Sequence, residues 1–190
     1  MRRAAFVVVI GLTLSGCLGS ITRAEFQAEL ESRGGGFEQA LIIQAVEVVA
    51  GQLGAADYAI RQLVVTPSVG VVVVVARDPR RPDQLDRYTV RNGGLLGVDP
   101  VRVGQAEDLD RETFPVSDLA LEGLNAMADV ALEQYDTAGG HVSTVVVSLL
   151  ASRENPEVGR PVVIMNLESP RSTAQATFAA DGSLLAFDVR

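Results

Sequence analysis

The chain lacks most of the residue types that small exported domains and catalytic domains rely on. Its 190 residues include one cysteine, one histidine and no tryptophan, and all 16 basic residues are arginine. Because one cysteine cannot form a disulfide within the chain, the folded part must be held together by its hydrophobic core. The single histidine has no second imidazole with which to share a metal ion. The chain is nevertheless long enough to bury a sizeable core.

The cysteine stands directly behind an apolar N-terminal run. Arg2 and Arg3 precede an apolar stretch over residues 4–14, and two small residues then lead to Cys17. A positive start, about ten apolar residues and a small-residue cleavage site are typical of a secretory signal. The run is shorter than the roughly 20 apolar residues that cross a bilayer. Residues 1–16 are therefore predicted to be a signal peptide that is removed.

The last four residues of this region resemble the lipobox of bacterial lipoproteins. Leu14, Ser15 and Gly16 match the cleavage motif, and Cys17 matches the residue that carries the lipid. The resemblance implies that diacylglycerol is attached to the thiol and that signal peptidase II then cuts before Cys17. The membrane is thus an expected partner, through acylated Cys17. The alternative is an ordinary cleaved signal in which Cys17 is incidental.

The same resemblance implies a lipid-anchored location on the exported side. In a diderm host, Leu18 differs from the aspartate that retains lipoproteins on the inner membrane, which favours the outer membrane. In a monoderm host the protein would face outward on the cell membrane.

The charge balance excludes one class of partner. Without Arg2 and Arg3, the processed chain has 14 arginines against 24 acidic residues, a net charge of −10. Such a surface is repelled by phosphate backbones and by anionic headgroups. We therefore expect no nucleic-acid partner and no direct adhesion to anionic lipid.

The two halves of the chain show the same order of predicted elements. Each half has a helix followed by four strands. In the first half these elements lie at 37–54, 58–66, 69–77, 86–91 and 95–101. In the second half the helix runs from Ser117, its predicted N-cap, to about Tyr135, and the strands lie at 141–151, 161–167, 173–179 and 183–189, with Asp181 and Gly182 as the turn between the last two. In one register Ala45 aligns with Ala126, and after one insertion Asp99 aligns with Asp188. The pattern predicts an α+β fold in which two similar helix-plus-antiparallel-meander units form a two-layer helix/sheet domain. Chance similarity between two amphipathic segments is the alternative.

Five parts follow from this pattern. They are the signal peptide (1–16), a lipidated N-terminus with a short helix over 23–32 and a Gly-rich hinge (17–36), the first unit (37–103), an acidic linker that we expect to be solvated (104–116) and the second unit (117–190). In topology alone, the arrangement is faintly similar to tandem helix-and-meander inhibitor and propeptide-like domains, such as the β-lactamase inhibitory protein and PepSY modules. No motif of those families is present, so the similarity implies no site residues.

Few residues offer catalytic chemistry. His141 could act as a general base, but no sequence motif supplies it with a nucleophile. Asp99 and Asp188 could act as acid and base if they lay about 5–9 Å apart. The run that begins at Asn92 lies between two strands, which favours a hairpin turn over a phosphate-binding loop. We predict no catalytic, cofactor or metal site. The alternative function is an envelope-located hydrolase that uses carboxylates or His141.

The strand patterns predict a sheet with two largely apolar faces. Residues 69–75 are almost all valine, which favours a central place in the sheet, and Val146 lies on the more polar face of its strand. If both helices cover one side, part of the other side is uncovered, and an exposed apolar patch usually marks a binding surface. A curled sheet, or cover by the helix at 23–32, is the alternative. The main prediction is a membrane-anchored envelope lipoprotein that acts as a non-catalytic binding module, with a protein, a lipid or an envelope polymer on the uncovered face.

Overall fold

The computed structural model describes residues 37–135, 139–150 and 159–190. Within these ranges the helices are α1 (Gln39–Leu53), α2 (Leu109–Glu112) and α3 (Leu124–Tyr135). The strands are β1 (Ala59–Thr66), β2 (Val71–Asp78), β3 (Arg81–Arg91), β4 (Gly94–Val101), β5 (Phe114–Pro115), β6 (His141–Leu149), β7 (Pro161–Glu168), β8 (Thr173–Ala179) and β9 (Leu184–Val189). The lipobox residues and the helix predicted over 23–32 lie outside the described residues.

The described strands form one antiparallel sheet. Its strand order is β4-β3-β2-β1-β6-β7-β8-β9, and β5 makes a short additional pairing with β1. Two meanders, β1 to β4 and β6 to β9, are joined where β1 pairs with β6, with Val64 opposite Val146. β2 lies in the interior, as the valine run predicts, because both of its edges are paired.

The hydrophobic core lies between one face of this sheet and the helices α1 and α3. The helices contribute buried residues at helical spacing, among them Ile42 and Val49 of α1 and Leu124 and Ala131 of α3. Alternate residues of every central strand face them, and the largest is Phe178, which is fully buried. We call this helix-covered side the near face and the opposite side the far face.

The predicted fold class is wrong in its proportions. We expected an α+β domain in which two helix-plus-meander units form a helix layer and a sheet layer. The described residues instead form a sheet-dominated structure with nine strands and two helices of more than one turn. The physical reason is that the β1–β6 pairing continues the main-chain ladder across both halves. Helices of 15 and 12 residues are only about 22 Å and 18 Å long, too short to make a matching layer over eight strands.

Local sequence signals predict the position of α1 correctly but misplace the start of α3. The prediction of a helix over 37–54 is confirmed, and Gly54 ends it in the left-handed conformation (φ 69°) with its N–H 2.8 Å from the Ala50 carbonyl oxygen. Ser117, however, is not the N-cap of α3. Its N–H and hydroxyl donate to the two carboxylate oxygens of Asp57, at 3.2 and 3.0 Å, and α3 begins seven residues later.

Candidate functional site: the far face of the sheet

The far face has a continuous row of side chains that crosses all eight main strands. Each member pairs directly with the next across the ladder, so the side chains share one face. In order from β4 to β9, the row is Gly97, Thr89, Val73, Val64, Val146, Ile164, Thr177 and Ala186. We call it the central row. Its members are partly exposed, except for Ala186 at the edge, which is exposed, whereas their neighbours along the central strands are buried in the near-face core.

The rows on either side of the central row are also free of charge in the middle of the sheet. Gln62 and Ser148 flank it on one side, and Thr144, Asn166 and Gln175 flank it on the other. Asn166 and Gln175 hydrogen-bond to each other through their side chains at 3.0 Å. In the first flanking row, Val162 and Ala179 are buried. The middle of the far face therefore presents small aliphatic, hydroxyl and amide groups.

Charged residues occupy the two lateral sides of the far face. On the β3 side, Arg87 and Arg91 follow the same alternation as Thr89, and Arg87 is opposite Asp99 of β4. On the other side, Glu168 ends β7 and Asp188 is opposite Gln175. Each side carries both signs of charge, because Asp99 is opposite Arg87, and Arg190, which pairs with Thr173, follows the same alternation as Asp188. The main electrostatic feature of this surface is an uncharged centre flanked by mixed charges.

One end of the far face is covered by residues 103–112, which we call the cap segment. Its Leu109 is buried against Val75 and Leu85 of the far face, with Val101 and Val103 packed around them. These contacts are apolar, so the acidic linker predicted at 104–116 is packed on the sheet here rather than simply solvated. No member of the central row belongs to this cluster, and the row keeps its partial exposure.

Two arginines hold the cap segment in place. Arg61 lies at a bulge in β1, and its guanidinium is 3.0 Å from both Glu107 and Glu112. The contact with Glu112 has ion-pair distance without hydrogen-bond geometry. Arg77 of β2 pairs with Asp110 at 2.5 Å. Three of the four carboxylates of the segment are thus used in ion pairs with the sheet, and the fourth, Asp108, pairs with Arg111 of the segment itself.

The predicted catalytic candidates are not brought together. Asp99 lies on β4 and Asp188 on β9, the two opposite edges of the sheet, so seven strand spacings of about 4.8 Å separate them by roughly 34 Å. The hypothesis of a carboxylate pair is therefore wrong. His141 begins β6 opposite Glu168, away from both aspartates. In the described ranges, no group of three or more potential metal-ligating side chains is clustered.

Two shallow cavities lie outside the far face's centre, each of about 440 Å³. One is formed by the loop before α3 and includes Val46, Asp57 and Leu119, but the Asp57 carboxylate is already hydrogen-bonded to Ser117. The other lies beside the cap segment and includes Arg77, which is paired with Asp110. Both sets of polar groups serve the fold, so neither cavity is our candidate site.

The remaining motif, the Gly-rich run that begins at Asn92, forms a turn. Asn92 (φ 46°) and Gly93 (φ 74°) connect β3 to β4 in a two-residue hairpin, which confirms that the Gly-rich run is a turn. The Asn92 side chain also fills the space beside Gly70, where an added Cβ would lie 2.1 Å from its Oδ1. This contact joins the β1–β2 turn to the β3–β4 turn.

The strand patterns predict a largely apolar far face but do not reveal the row that defines it. Val73 and Val146 were visible as residues on the second face of apolar strands. Thr89, Gly97 and Thr177 were not singled out, because their membership depends on the register between strands far apart in the chain. The residues most informative about charge, Arg87 and Arg91, carry no local signal beyond strand alternation.

Comparison with known proteins adds one likeness. No protein-family model matches the chain, and no curated protein matches it in sequence. A solved structure of a "putative lipoprotein" from Clostridium difficile 630 matches with a TM-score of 0.57 at 11% sequence identity. The match covers 77% of this chain and 90% of the other. At this identity the likeness shows a shared fold, and residue roles do not transfer.

Two observations bear on membrane association. None of the helices in the described ranges is long and apolar enough to cross a bilayer. The predicted lipid attachment residue, Cys17, and the motif residues Leu14, Ser15 and Gly16 lie in the part of the chain before residue 37, which is not described.

Proposed function

We propose that this protein is a lipid-anchored lipoprotein of the bacterial cell envelope that works by binding through its far face. The observation that carries the proposal is the central row, a partly exposed and uncharged stripe across eight strands of a folded sheet. Support for the anchor comes from the lipobox at residues 14–17 and from the fold shared with a protein named as a "putative lipoprotein".

The anchor would be effectively permanent. Each buried methylene contributes about 0.8 kcal/mol of membrane affinity, and stable anchoring takes two lipid chains. A diacylglyceryl group on Cys17 supplies two. The 19 residues between Cys17 and Phe37 span at most about 65 Å when fully extended, so the folded part works close to the membrane surface.

Binding fits the chemistry of the far face better than catalysis does. The central row offers methyl groups and the hydroxyls of Thr89 and Thr177, which supply contact area and hydrogen bonds. Asp99 and Asp188, the carboxylates that could have formed an acid–base pair, lie at the two opposite edges of the sheet. We place the protein on the exported side of its membrane, at the outer membrane in a diderm host.

The anchor is tested by replacing the thiol. The Cys17→Ser protein is expected to leave the membrane fraction, and the natural protein is expected to show the mass of a diacylglyceryl group on its first residue. A Cys17→Ser protein that still sediments with membranes, or a natural N-terminus without acyl mass, would refute the anchor.

The binding face is tested by chemical protection. A thiol placed at Ile164 or Thr177, on the central row, should react more slowly with a maleimide in native envelopes than in dilute purified protein. Gln52→Cys, on the exposed side of α1, is the matched control and should react equally fast in both. Equal rates at all three positions would refute a function that occupies the far face.

A further inference from the structure

We infer that one corner of the sheet rests on the lipid bilayer and inserts apolar side chains at the boundary between headgroups and acyl chains. The corner consists of the β1–β2 turn with residues 67–70 and the β3–β4 hairpin with residues 91–98, and we call it the contact corner. The inference rests on the proposed lipid anchor and adds a second, non-covalent membrane contact that orients the folded part.

The exposed apolar side chains of the described residues are concentrated at this corner. Seven large hydrophobic residues are exposed, and four of them lie here: Val69, Leu95, Leu96 and Val98. Leu95 and Val98 are on the near face but at the edge strand β4, where α1 does not bury them. Leu96 is the extra residue of a β-bulge, which leaves it unpaired, and 62% of it is exposed. Such a patch marks a surface that contacts a partner or a membrane.

The sequence of the contact corner contains no carboxylate. Neither Asp nor Glu occurs in residues 67–70 or 91–98, although the chain has 24 acidic residues. The one charged residue is Arg91, whose Nε donates to the Val69 carbonyl oxygen at 3.2 Å. An arginine in this position lays its stem along the apolar side chains and keeps its guanidinium at the level of the headgroup phosphates. The repulsion expected from the net charge of the chain is therefore weakest here.

The other exposed apolar residues have acidic neighbours. Val130 of α3 directly follows Asp129, and Asp188 separates Leu185 from Val189 on β9. Moving a carboxylate toward hydrocarbon is costly, so these residues are poorly suited to a bilayer. Val189 is 62% exposed, as Leu96 is, and it lies at the opposite edge of the sheet. The two positions therefore form a matched pair for an experiment.

The contact corner has a fixed shape. The two turns are joined by a hydrogen bond of 3.1 Å, in which the Asn92 N–H donates to the Gly70 carbonyl oxygen. Gly70 and Gly93 hold the turns in the left-handed conformation, with φ of 60° and 74°. Because the apolar side chains stand on ordered backbone, little conformational entropy is lost when they contact lipid.

The chain that carries the anchor enters the fold close to this corner. Gln44 of α1 lies against Gly93, where an added Cβ would be 3.2 Å from its Oε1. α1 begins at Gln39, five residues earlier, or about 7.5 Å along the helix. An acylated Cys17 therefore holds the corner at a high effective concentration of bilayer, and a small apolar patch is then sufficient for contact.

The experiment uses full-length acylated protein in phosphatidylcholine vesicles that contain a nitroxide-labelled phosphatidylcholine. A nitrobenzoxadiazole fluorophore is attached to Leu96→Cys or, as the matched control, to Val189→Cys, because acylated Cys17 has no free thiol. The nitroxide lipid should quench the fluorophore at Leu96→Cys with a quenching constant at least threefold larger than at Val189→Cys. Equal constants would overturn the inference.

A second substitution tests whether the whole corner makes the contact. Val69→Asp, added to the labelled Leu96→Cys protein, should remove at least half of the excess quenching, because it brings a carboxylate to the lipid boundary. Val130→Asp, on the exposed side of α3, is the control and should leave the quenching unchanged. Excess quenching that is insensitive to Val69→Asp would show that the fluorophore alone enters the lipid, and the contact corner would be rejected.

The outcomes separate this inference from the proposed anchor. If the acylated protein stays with the vesicles but both labelled positions are quenched equally, the anchor stands and the contact corner is rejected. If the natural protein lacks acyl mass but Leu96→Cys is still quenched selectively by added vesicles, the anchor is rejected and the contact corner stands. Slow maleimide reaction of Leu96→Cys in native envelopes, together with equal quenching in pure lipid, would assign the corner to a protein partner and overturn the lipid contact.

Discussion

A matched pair of substitutions on β1 tests whether the far face is open. Val64 and Val65 are adjacent, but Val64 lies on the partly exposed central row and Val65 is fully buried among core residues. Replacing either by threonine keeps the volume and exchanges one methyl group for a hydroxyl. The comparison therefore reports the environment of each side chain, without a contribution from a cavity or from overpacking.

The expected costs differ because only one hydroxyl can reach water. In Val65→Thr the hydroxyl is buried without a partner, which costs about 1–3 kcal/mol, and the lost apolar burial adds about 0.8 kcal/mol. We expect a loss of roughly 2–4 kcal/mol in the free energy of unfolding. Val64→Thr places a third threonine in the row of Thr89 and Thr177, and its loss should stay below about 0.5 kcal/mol.

Urea denaturation followed by circular dichroism measures both values in the soluble Cys17→Ser background. Data at several protein concentrations, with unchanged m-values, separate the stability of the monomer from that of a dimer. If Val64→Thr costs as much as Val65→Thr in the dilute monomer, the far face belongs to a covered core. The proposed binding surface would then not exist.

Three further predictions concern the elements that support the site. Gly70→Ala should destabilise the fold by about 1–3 kcal/mol in thermal melts, because Gly70 has a φ of 60° and the new Cβ would overlap the Asn92 carboxamide. Gly97→Ala is the control, and it should be nearly neutral because the space at its Cβ is open. Arg61→Gln should lower the free energy of unfolding by no more than about 1 kcal/mol, because the ion pairs of Arg61 are partly exposed. It should nevertheless speed hydrogen exchange in the cap segment, as measured by mass spectrometry, and unchanged exchange there would contradict the role given to Arg61. Burial raises the pKa of Tyr58, so the folded state favours the neutral phenol. This contribution to stability is present below the ordinary pKa of about 10 and is lost as the pH rises above that value. Tyr58→Phe should therefore weaken the alkaline loss of stability in denaturation measured against pH, and an unchanged profile would contradict this role of Tyr58.

The Tyr58 substitution also has a structural cost at neutral pH. Its hydroxyl donates to the Val46 carbonyl oxygen at 3.1 Å, which ties the start of the sheet to α1. Tyr58→Phe should therefore lower stability by about 1 kcal/mol at neutral pH, and the variant's pH profile must be compared after this offset.

The charged residues at the turn between β2 and β3 stabilise the fold. The backbone N–H of Arg80, followed by the Arg81 guanidinium, holds the pKa of Asp78 below its ordinary value. Arg80 itself donates to the Leu53 carbonyl oxygen at 2.7 Å, where α1 ends. The cluster thus stabilises a turn and the end of a helix.

Local signals were sufficient wherever a structure depends on residues close in the chain. The helical period of α1, the Asn92–Gly93 hairpin and the turn at Asp181–Gly182, where Ser183 donates its N–H and hydroxyl to Asp181, are all correct from the pattern alone. The strand at 141–149 and its partner at 161–168 also lie where alternation predicts them. These features follow from backbone geometry and side-chain period, which act over a few residues.

Other features were mispredicted because a distant partner competes with the local preference. Ser117 was expected to cap a helix, but the Asp57 carboxylate, 60 residues away in sequence, takes both of its donors. The charged cap segment was expected to be solvated, but Leu109 packs in an apolar cluster on the far face, and Arg61 and Arg77 pair with three of its four carboxylates. Tertiary contacts outweigh weak local propensities in such places.

Composition and local pattern are enough to describe an acidic chain of helices and antiparallel strands, with one cysteine, behind a lipobox-like N-terminus. The pairing of β1 with β6 could be read only from the folded molecule, and it joins two meanders in one sheet, separates Asp99 from Asp188 and aligns the central row. The difference arises from the separation along the chain over which each kind of interaction acts. Period, turns and composition are properties of neighbouring residues, whereas strand pairing between remote segments depends on which arrangement buries the most apolar surface and satisfies the most main-chain hydrogen bonds in the whole chain.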